Sequence, residues 1–194
     1  DLYGKSTVRS LYFDTPSHLL IRRSLEKPIY KEKLRLRSYG QAKPDDDIFV
    51  ELKKKYQGLG FKRRIKFPEA KAMMDLCQGF PLGGSSQIAK EIDYFRSLYQ
   101  ELQPAIILSY NRTAYRACHQ EDLRITFDER ILWRMDDLSL TAPLYGISLL
   151  AEGQVLMEIK TGYAIPLWLT HLLNENGIFK TSFSKCSSSF RCKL

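Results

Sequence analysis

Arginine and lysine recur at every second position through several short stretches of this 194-residue chain, a spacing that lines one face of a β-strand with cations. In YKEKLRLRSYG these are Lys31, Lys33, Arg35 and Arg37; in FVELKKKY, Glu51, Lys53 and Lys55 align; in FKRRIKF, Lys62, Arg64 and Lys66 align. SYNRTAYRA aligns Tyr110, Arg112 and Arg116, and DLRITFDERI aligns Asp122, Arg124, Thr126, Asp128 and Arg130. VLMEIKTG sets Glu158 and Lys160 opposite Val155, Met157 and Ile159. Fourteen bases stand against four acids on these faces. The plain alternative is an antiparallel sheet whose charged face looks at solvent, but such a face mixes signs and favours Thr, Ser and Glu. Arg and Lys stacked on successive strands repel one another unless an anion lies among them. The chemistry open to this surface is therefore the binding and polarisation of a polyanion. Arg grips oxygens bidentately, Lys supplies point charges, and a carboxylate among them can ligate a hard divalent cation.

The elements that must position these side chains follow from the same periodicity. Strands are predicted at about 6–13, 30–39, 47–56, 60–67, 105–117, 122–134 and 154–161, each alternating and rich in β-branched or aromatic residues. Helices are predicted between them: from Pro16 and Ser17 to Leu25, from Pro68 and Glu69 to the Gly79 stop, from a Ser86 cap to Leu102, from Pro166 to Asn176, and over the closing SFSKCSSSF. Short turns between neighbouring strands imply antiparallel pairing. The expected class is α+β, mainly antiparallel β, with a closed or nearly closed barrel. Its lumen carries the cations, and peripheral helices cover Leu34, Leu36, Val50, Leu52, Ile65, Phe67, Leu123, Ile125 and Phe127 outside.

The chain has 30 Lys+Arg against 22 Asp+Glu, a net charge of +8 that points to an acidic partner. Its length suits one domain over residues 1–194. Cys77, Cys118, Cys186 and Cys192 form no C-x-x-C pair, and His18, His119 and His171 are far apart, so the expectation is free thiols in a reducing, cytoplasmic setting and no zinc site. No apolar run approaches a membrane span.

Eight strings, SLYFDT, KLRLRSYG, VELKKK, FKRRIKF, SYNRTAY, LRITFDERI, LMEIKTG and FSKCSSSF, occur in order from Ser10 to Phe190. Together they resemble the polyphosphate polymerase domain of the vacuolar transporter chaperone (VTC) family, within the triphosphate tunnel metalloenzymes. That resemblance implies a tunnel of antiparallel strands that binds a triphosphate, with Mn²⁺ or Mg²⁺ at a lumen carboxylate. It assigns Arg35, Arg37, Lys53, Arg112 and Arg124 to the catalytic group, Lys62, Tyr110, Ser184 and Lys185 to phosphate binding, and Glu158 to the metal. Glu51 and Asp128 are open between a metal-ligand role and a salt-bridge role.

The resemblance also implies a first strand bearing alternating Glu and a lysine, and no such strand precedes Ser6. The expectation is a barrel open on one side unless that strand lies upstream of Asp1. The implied function is transfer of the ATP γ-phosphoryl group onto a growing polyphosphate. The alternatives are hydrolysis of inorganic or RNA triphosphate and a non-catalytic polyphosphate-binding module. RNA binding is disfavoured, because the aromatics mostly alternate away from the basic face.

Overall fold

The computed structural model describes residues 4–26, 28–83, 86–120 and 122–192. Its strands are β1 (Lys5–Asp14), β2 (Tyr30–Tyr39), β3 (Asp47–Tyr56), β4 (Leu59–Pro68), β5 (Gln103–Arg116), β6 (Arg124–Arg134), β7 (Ile147–Ser148) and β8 (Leu156–Lys160). The helices are α1 (Leu19–Leu25), α2 (Glu69–Gln78), α3 (Gln87–Leu98), α4 (Leu167–Glu175) and α5 (Lys185–Arg191). All sheet pairings are antiparallel, in the order β4-β3-β2-β1-β5-β6-β7, with β8 pairing β6 beside β7.

Local chemistry explains the boundaries. Asp14 and Thr15 cap α1: the Asp14 carboxylate accepts from the Leu20 and Ile21 amides, each at 2.8 Å, and Thr15 Oγ1 accepts from the Leu19 amide at 3.0 Å. The helix therefore starts at Leu19 and not at Pro16. Ser86 caps α3 through the Ala89 amide, and Tyr99, at ψ 84°, ends it before Leu102. Gln57 and Gly58, both at positive φ, make the two-residue turn between β3 and β4.

The expectation is a closed or nearly closed barrel, open on one side in the absence of a further first strand, and the closed form is not what the described residues make. Among the described residues β4 and β8 do not pair, so the sheet is open along that seam. It is nevertheless curled. Lys160 of β8 adds to the charge repulsion felt by Lys53 of β3. Those strands are five steps apart in the pairing order, which would be about 24 Å in a flat sheet, too far for such an effect. The molecule is thus an α+β fold built on a curved, open antiparallel sheet.

The two faces of the sheet are packed differently. On the convex face Leu11, Phe13, Leu34, Leu36, Ile48, Val50 and Leu52 pack against Ala72 and Leu76 of α2 and Ala89, Ile92 and Phe95 of α3. Ile65 and Phe67 lean on this core from β4. The expected cover fails over β6, where Ile125 and Phe127 are only half-buried, although Leu123 is buried. On the concave face α1 and α5 fill one part, Ile21, Cys186 and Phe190 packing on Tyr12, Ile106, Leu108 and Trp133. The remainder of that face is polar.

A bulge divides β6. The pairing passes from Ser109 and Leu132 to Asn111 and Glu129, and Arg130 at φ 49° takes the extra residue. Strict alternation put Arg130 on the same face as Asp128. The bulge removes Arg130 from that row and turns Ile131 and Trp133 to the concave side, where they meet Tyr110 and Leu108 respectively.

Candidate functional site

Two walls of charged side chains line the polar part of the concave face. The first belongs to β2, β3 and β4, whose register sets cross-strand rows: Lys31 opposite Lys55; Lys33, Lys53 and Lys62; Arg35, Glu51 and Arg64; Arg37, Phe49 and Lys66. Arg35 is buried, and its Nε and Nη2 donate to Glu51 Oε2 at 2.7 and 2.6 Å while Nη1 donates to the Tyr12 hydroxyl at 2.8 Å. Arg37 donates from Nε to Ser10 Oγ at 3.2 Å and from Nη2 to the Tyr110 hydroxyl at 3.3 Å. Burial opposes the ionisation of Glu51, but Arg35 and then Arg37 outweigh it and hold the carboxyl below its usual range.

Lys53 meets the opposite imbalance. Desolvation, then the charges of Arg35 and Arg37, bring its ammonium down to about 7. Glu51 works against this shift without cancelling it, being already committed to Arg35. Lys62 is lowered for the same leading reason, desolvation.

The second wall belongs to β5, β6, β8 and the start of α5. Asp128, fully buried, receives Arg112 in a bidentate fork, Nε to Oδ1 at 2.6 Å and Nη2 to Oδ2 at 2.7 Å. Lys185 Nζ lies 2.6 Å from the same Oδ2. The Tyr110 ring sits beneath both cations, Arg112 at 5.1 Å and Lys185 at 4.8 Å from its centre. Glu158 extends into the cleft, 3.6 Å from Arg112 Nη2 and 3.3 Å from Lys160 Nζ. Burial raises its proton affinity, but Lys160, Lys185 and Arg112 hold it ionised below the usual carboxylate range.

The fold thus sets Arg35 and Arg37 on either side of Glu51, with Tyr110 hydrogen-bonded to Arg37, and brings Arg112 and Lys185 onto Asp128 with Glu158 beside Arg112. Lys53 and Lys62 continue the first wall. Arg124 lies at the exposed end of β6, opposite Lys160. Ser184 is exposed and caps α5, its hydroxyl accepting from the Ser187 amide and donating to Ser187 Oγ at 3.1 Å. Glu51 and Asp128, open between two roles in the sequence, are salt-bridge partners here.

Reading the chain by charge missed Tyr12 and Ser10, which orient Arg35 and Arg37. Their signal was the alternation Ser10, Tyr12 within SLYFDT, but that face of β1 carries no base, only Asp14 at its end, to draw the eye. Lys33, placed in the basic row by its spacing but given no role there, donates to Ser187 Oγ at 3.4 Å and ties β2 to α5.

Among the described residues no group of three or more His, Cys, Asp or Glu side chains could cage a metal ion. Asp128 is occupied by Arg112 and Lys185, and Glu51 by Arg35, although buried Glu51 Oε1 has no partner. Glu158 remains the accessible, ionised carboxylate. One carboxylate completed by phosphate oxygens and water is a donor set that suits Mg²⁺ or Mn²⁺, so the residues fit a cation that arrives with a phosphate ligand.

An open antiparallel sheet whose concave face gathers cations around the accessible carboxylate of Glu158 defines an anion-binding α+β domain. The chain belongs to the VTC domain family, which it matches over residues 2–192. Its fold is similar to that of a Bacillus halodurans protein described as a candidate adenylate cyclase, at 16% identity and a TM-score of 0.59, covering 93% of this chain and 79% of that one. A candidate adenylyl cyclase from Hippeastrum, described as having a dominant triphosphatase activity, is similar at 17% identity and a TM-score of 0.50, covering 90% of this chain and 75% of that one. No curated protein sequence matches.

Proposed function

We propose that this domain binds the triphosphate of ATP in the cleft and transfers its γ-phosphoryl group to a growing inorganic polyphosphate. The observation that carries the reading is the convergence of Arg35, Arg37, Lys53, Arg112, Lys185 and Glu158 on one concave face, where the cations outnumber their carboxylate partners. Family membership supports it.

In this mechanism the terminal oxygen of the acceptor chain attacks Pγ, a new P–O bond forms, and the bond from Pγ to the β,γ-bridging oxygen breaks to release ADP. The protein supplies position and charge more than covalent chemistry. Arg35 and Arg37, oriented by Tyr12, Ser10 and Tyr110, hold non-bridging oxygens from one wall. Arg112 and Lys185, oriented by Asp128, hold them from the other. Lys53, brought down to about 7 by burial and the neighbouring arginines, gains proton affinity beside an anion and so adds charge where it develops. Lys62 and Arg124 flank the path at the exposed ends, and Ser184 sets the start of α5 and hence the position of Lys185. Glu158 would hold a divalent cation, which when bound neutralises charge on the β- and γ-phosphates.

Incubation with ATP and Mn²⁺, with products resolved on a gel, tests this. Long chains are expected; orthophosphate without chains would favour hydrolysis. That second reading draws support from the triphosphatase activity described for the Hippeastrum neighbour.

A further inference from the structure

The turn that joins β3 to β4 gathers apolar side chains in water. Tyr56, Leu59 and Phe61 are 49%, 66% and 54% exposed, and Ile29 and Tyr30, at the start of β2, are 70% and 45% exposed. They form one patch: Tyr56 pairs with Leu59 across the turn and with Tyr30 on its other side, and the Gln57 amide donates to the Ile29 carbonyl at 3.0 Å. A contiguous exposed patch of this kind marks an interaction surface.

Cations lie directly behind it. The next row inward holds Lys31 and Lys55, opposite Gly60, and the row after that sets Lys54 opposite Phe61. By the rise of a strand these lysines stand about 3 and 7 Å behind the tip. From Lys53 to Arg64 the chain has six bases and no acid, and among the described residues no carboxylate forms an ion pair with Lys31, Lys54 or Lys55. Glu32, opposite Lys54, is buried and accepts instead from the Tyr30 and Tyr99 hydroxyls at 2.6 and 2.9 Å. The order, apolar first and cationic behind, is that of a lipid surface, where acyl chains give way to phosphate over about 5–10 Å. A single-stranded nucleic acid needs cations beside its stacking rings along one groove. Here the two most exposed side chains of the patch, Ile29 and Leu59, are aliphatic and offer a base no stacking face.

We propose that the β3–β4 turn, with Ile29 and Tyr30 beside it, docks on a bilayer containing anionic phospholipid. Ile29, Tyr56 and Leu59 enter the acyl boundary, and Lys31, Lys54 and Lys55 meet lipid phosphates. The contact is peripheral, because the apolar tip is about 7 Å deep against a hydrocarbon core of about 30 Å. It does not depend on what the cleft binds.

Cosedimentation with vesicles tests this, using phosphatidylcholine alone and phosphatidylcholine mixed with phosphatidylglycerol, each with and without excess inorganic triphosphate at constant ionic strength. The native protein is expected on the mixed vesicles and not on the neutral ones, more weakly as salt is raised, and triphosphate is expected to leave it there. Leu59→Ser with Phe61→Ser should weaken binding about tenfold or more, the scale of two apolar side chains withdrawn from lipid. Lys54→Gln with Lys55→Gln should weaken it about tenfold. Leu167→Ser with Phe179→Ser removes two exposed apolar side chains elsewhere and should bind as the native protein does. An unchanged melting temperature in each variant separates a lost contact from a lost fold. Undiminished binding of the Leu59→Ser, Phe61→Ser variant, or an equal loss in the Leu167→Ser, Phe179→Ser variant, would overturn the docking surface. Release by triphosphate would move the contact into the cleft and overturn it as well. No binding to mixed vesicles would overturn it outright, and single-stranded RNA held by the native protein but not by the Leu59→Ser, Phe61→Ser variant would make the ligand of the patch a nucleic acid instead.

Discussion

The two walls of the cleft carry the same kinds of cation but neutralise them differently. On the β5–β8 wall carboxylates meet the bases closely: Asp128 takes Arg112 and Lys185, and Glu158 lies between Arg112 and Lys160. On the β2–β4 wall Glu51 serves both Arg35 and Arg37, and Lys53 is left with burial and then the repulsion of those arginines, which lower its proton affinity. The paired wall is therefore held in place before a ligand arrives. The unpaired wall is held by tyrosine and serine hydroxyls and gains most when an anion fills it. Preorganisation and affinity are thus divided between opposite sides of one site.

The largest expected effect tests how thinly the first wall is neutralised. Arg35→Ala leaves Glu51, 1% exposed, without its main partner and should destabilise the fold by about 3–5 kcal/mol in denaturant titration. Arg112→Ala leaves Lys185 on Asp128 and should cost less, about 1–3 kcal/mol. Equal losses would break the contrast between the walls.

Glu158→Gln tests the second wall. Mn²⁺-dependent turnover should fall about 10²-fold or more, on the scale of 3 kcal/mol for one strong electrostatic contact. Metal-free triphosphate binding should persist or tighten, because an anion has left an anion site. Full activity in this variant would reduce Glu158 to a partner of Lys160 and Arg112.

The pH dependence of binding sharpens the picture at Lys53. With its pKa lowered to about 7 in the free protein, the ammonium is stabilised by a bound anion, so its proton affinity rises in the complex. Binding therefore takes up a proton above pH 7. The contribution of Lys53 to affinity is flat well below that pH and falls as the pH climbs through it, by up to about tenfold per unit. Calorimetry in buffers of different ionisation enthalpy should detect the uptake, and Lys53→Met should abolish it. Uptake unchanged in that variant would place the titrating group elsewhere.

The smallest effect concerns Ser184. Ser184→Ala should remove the α5 cap at about 1 kcal/mol, while Ser184→Gly should cost only a few tenths. If triphosphate affinity follows stability across the two variants, the hydroxyl acts through α5 and Lys185; a larger loss of affinity in both would mean that it touches phosphate itself.

The strands and their cationic rows were legible because alternation is a local property: each side chain's face depends only on its position in its own strand. The boundaries of β2 and β3 agree with the predicted 30–39 and 47–56, and α2 stops where Gly79 was expected to stop it. Arg130 escaped because a bulge depends on the pairing of β6 with β5. The two-residue β7 has too little sequence to alternate. Glu51 and Asp128 were visible as acids among bases, yet their partners lie on neighbouring strands and on α5, so spacing along the chain left their roles open.

The amino-acid sequence by itself therefore determined which residues share a strand face, where the helices begin and end to within a few positions, the excess of positive charge and the family to which the chain belongs. Each of these follows from local geometry, composition or ordered motifs. The tertiary structure decided that the sheet stays open between β4 and β8, that Tyr12 and Ser10 serve the arginines, and which carboxylates are already taken. It also decided that Lys53 and Lys160, distant in the strand order, feel one another across the cleft. Curvature, pairing and burial set these outcomes, and all three arise only when strands far apart in the chain come together.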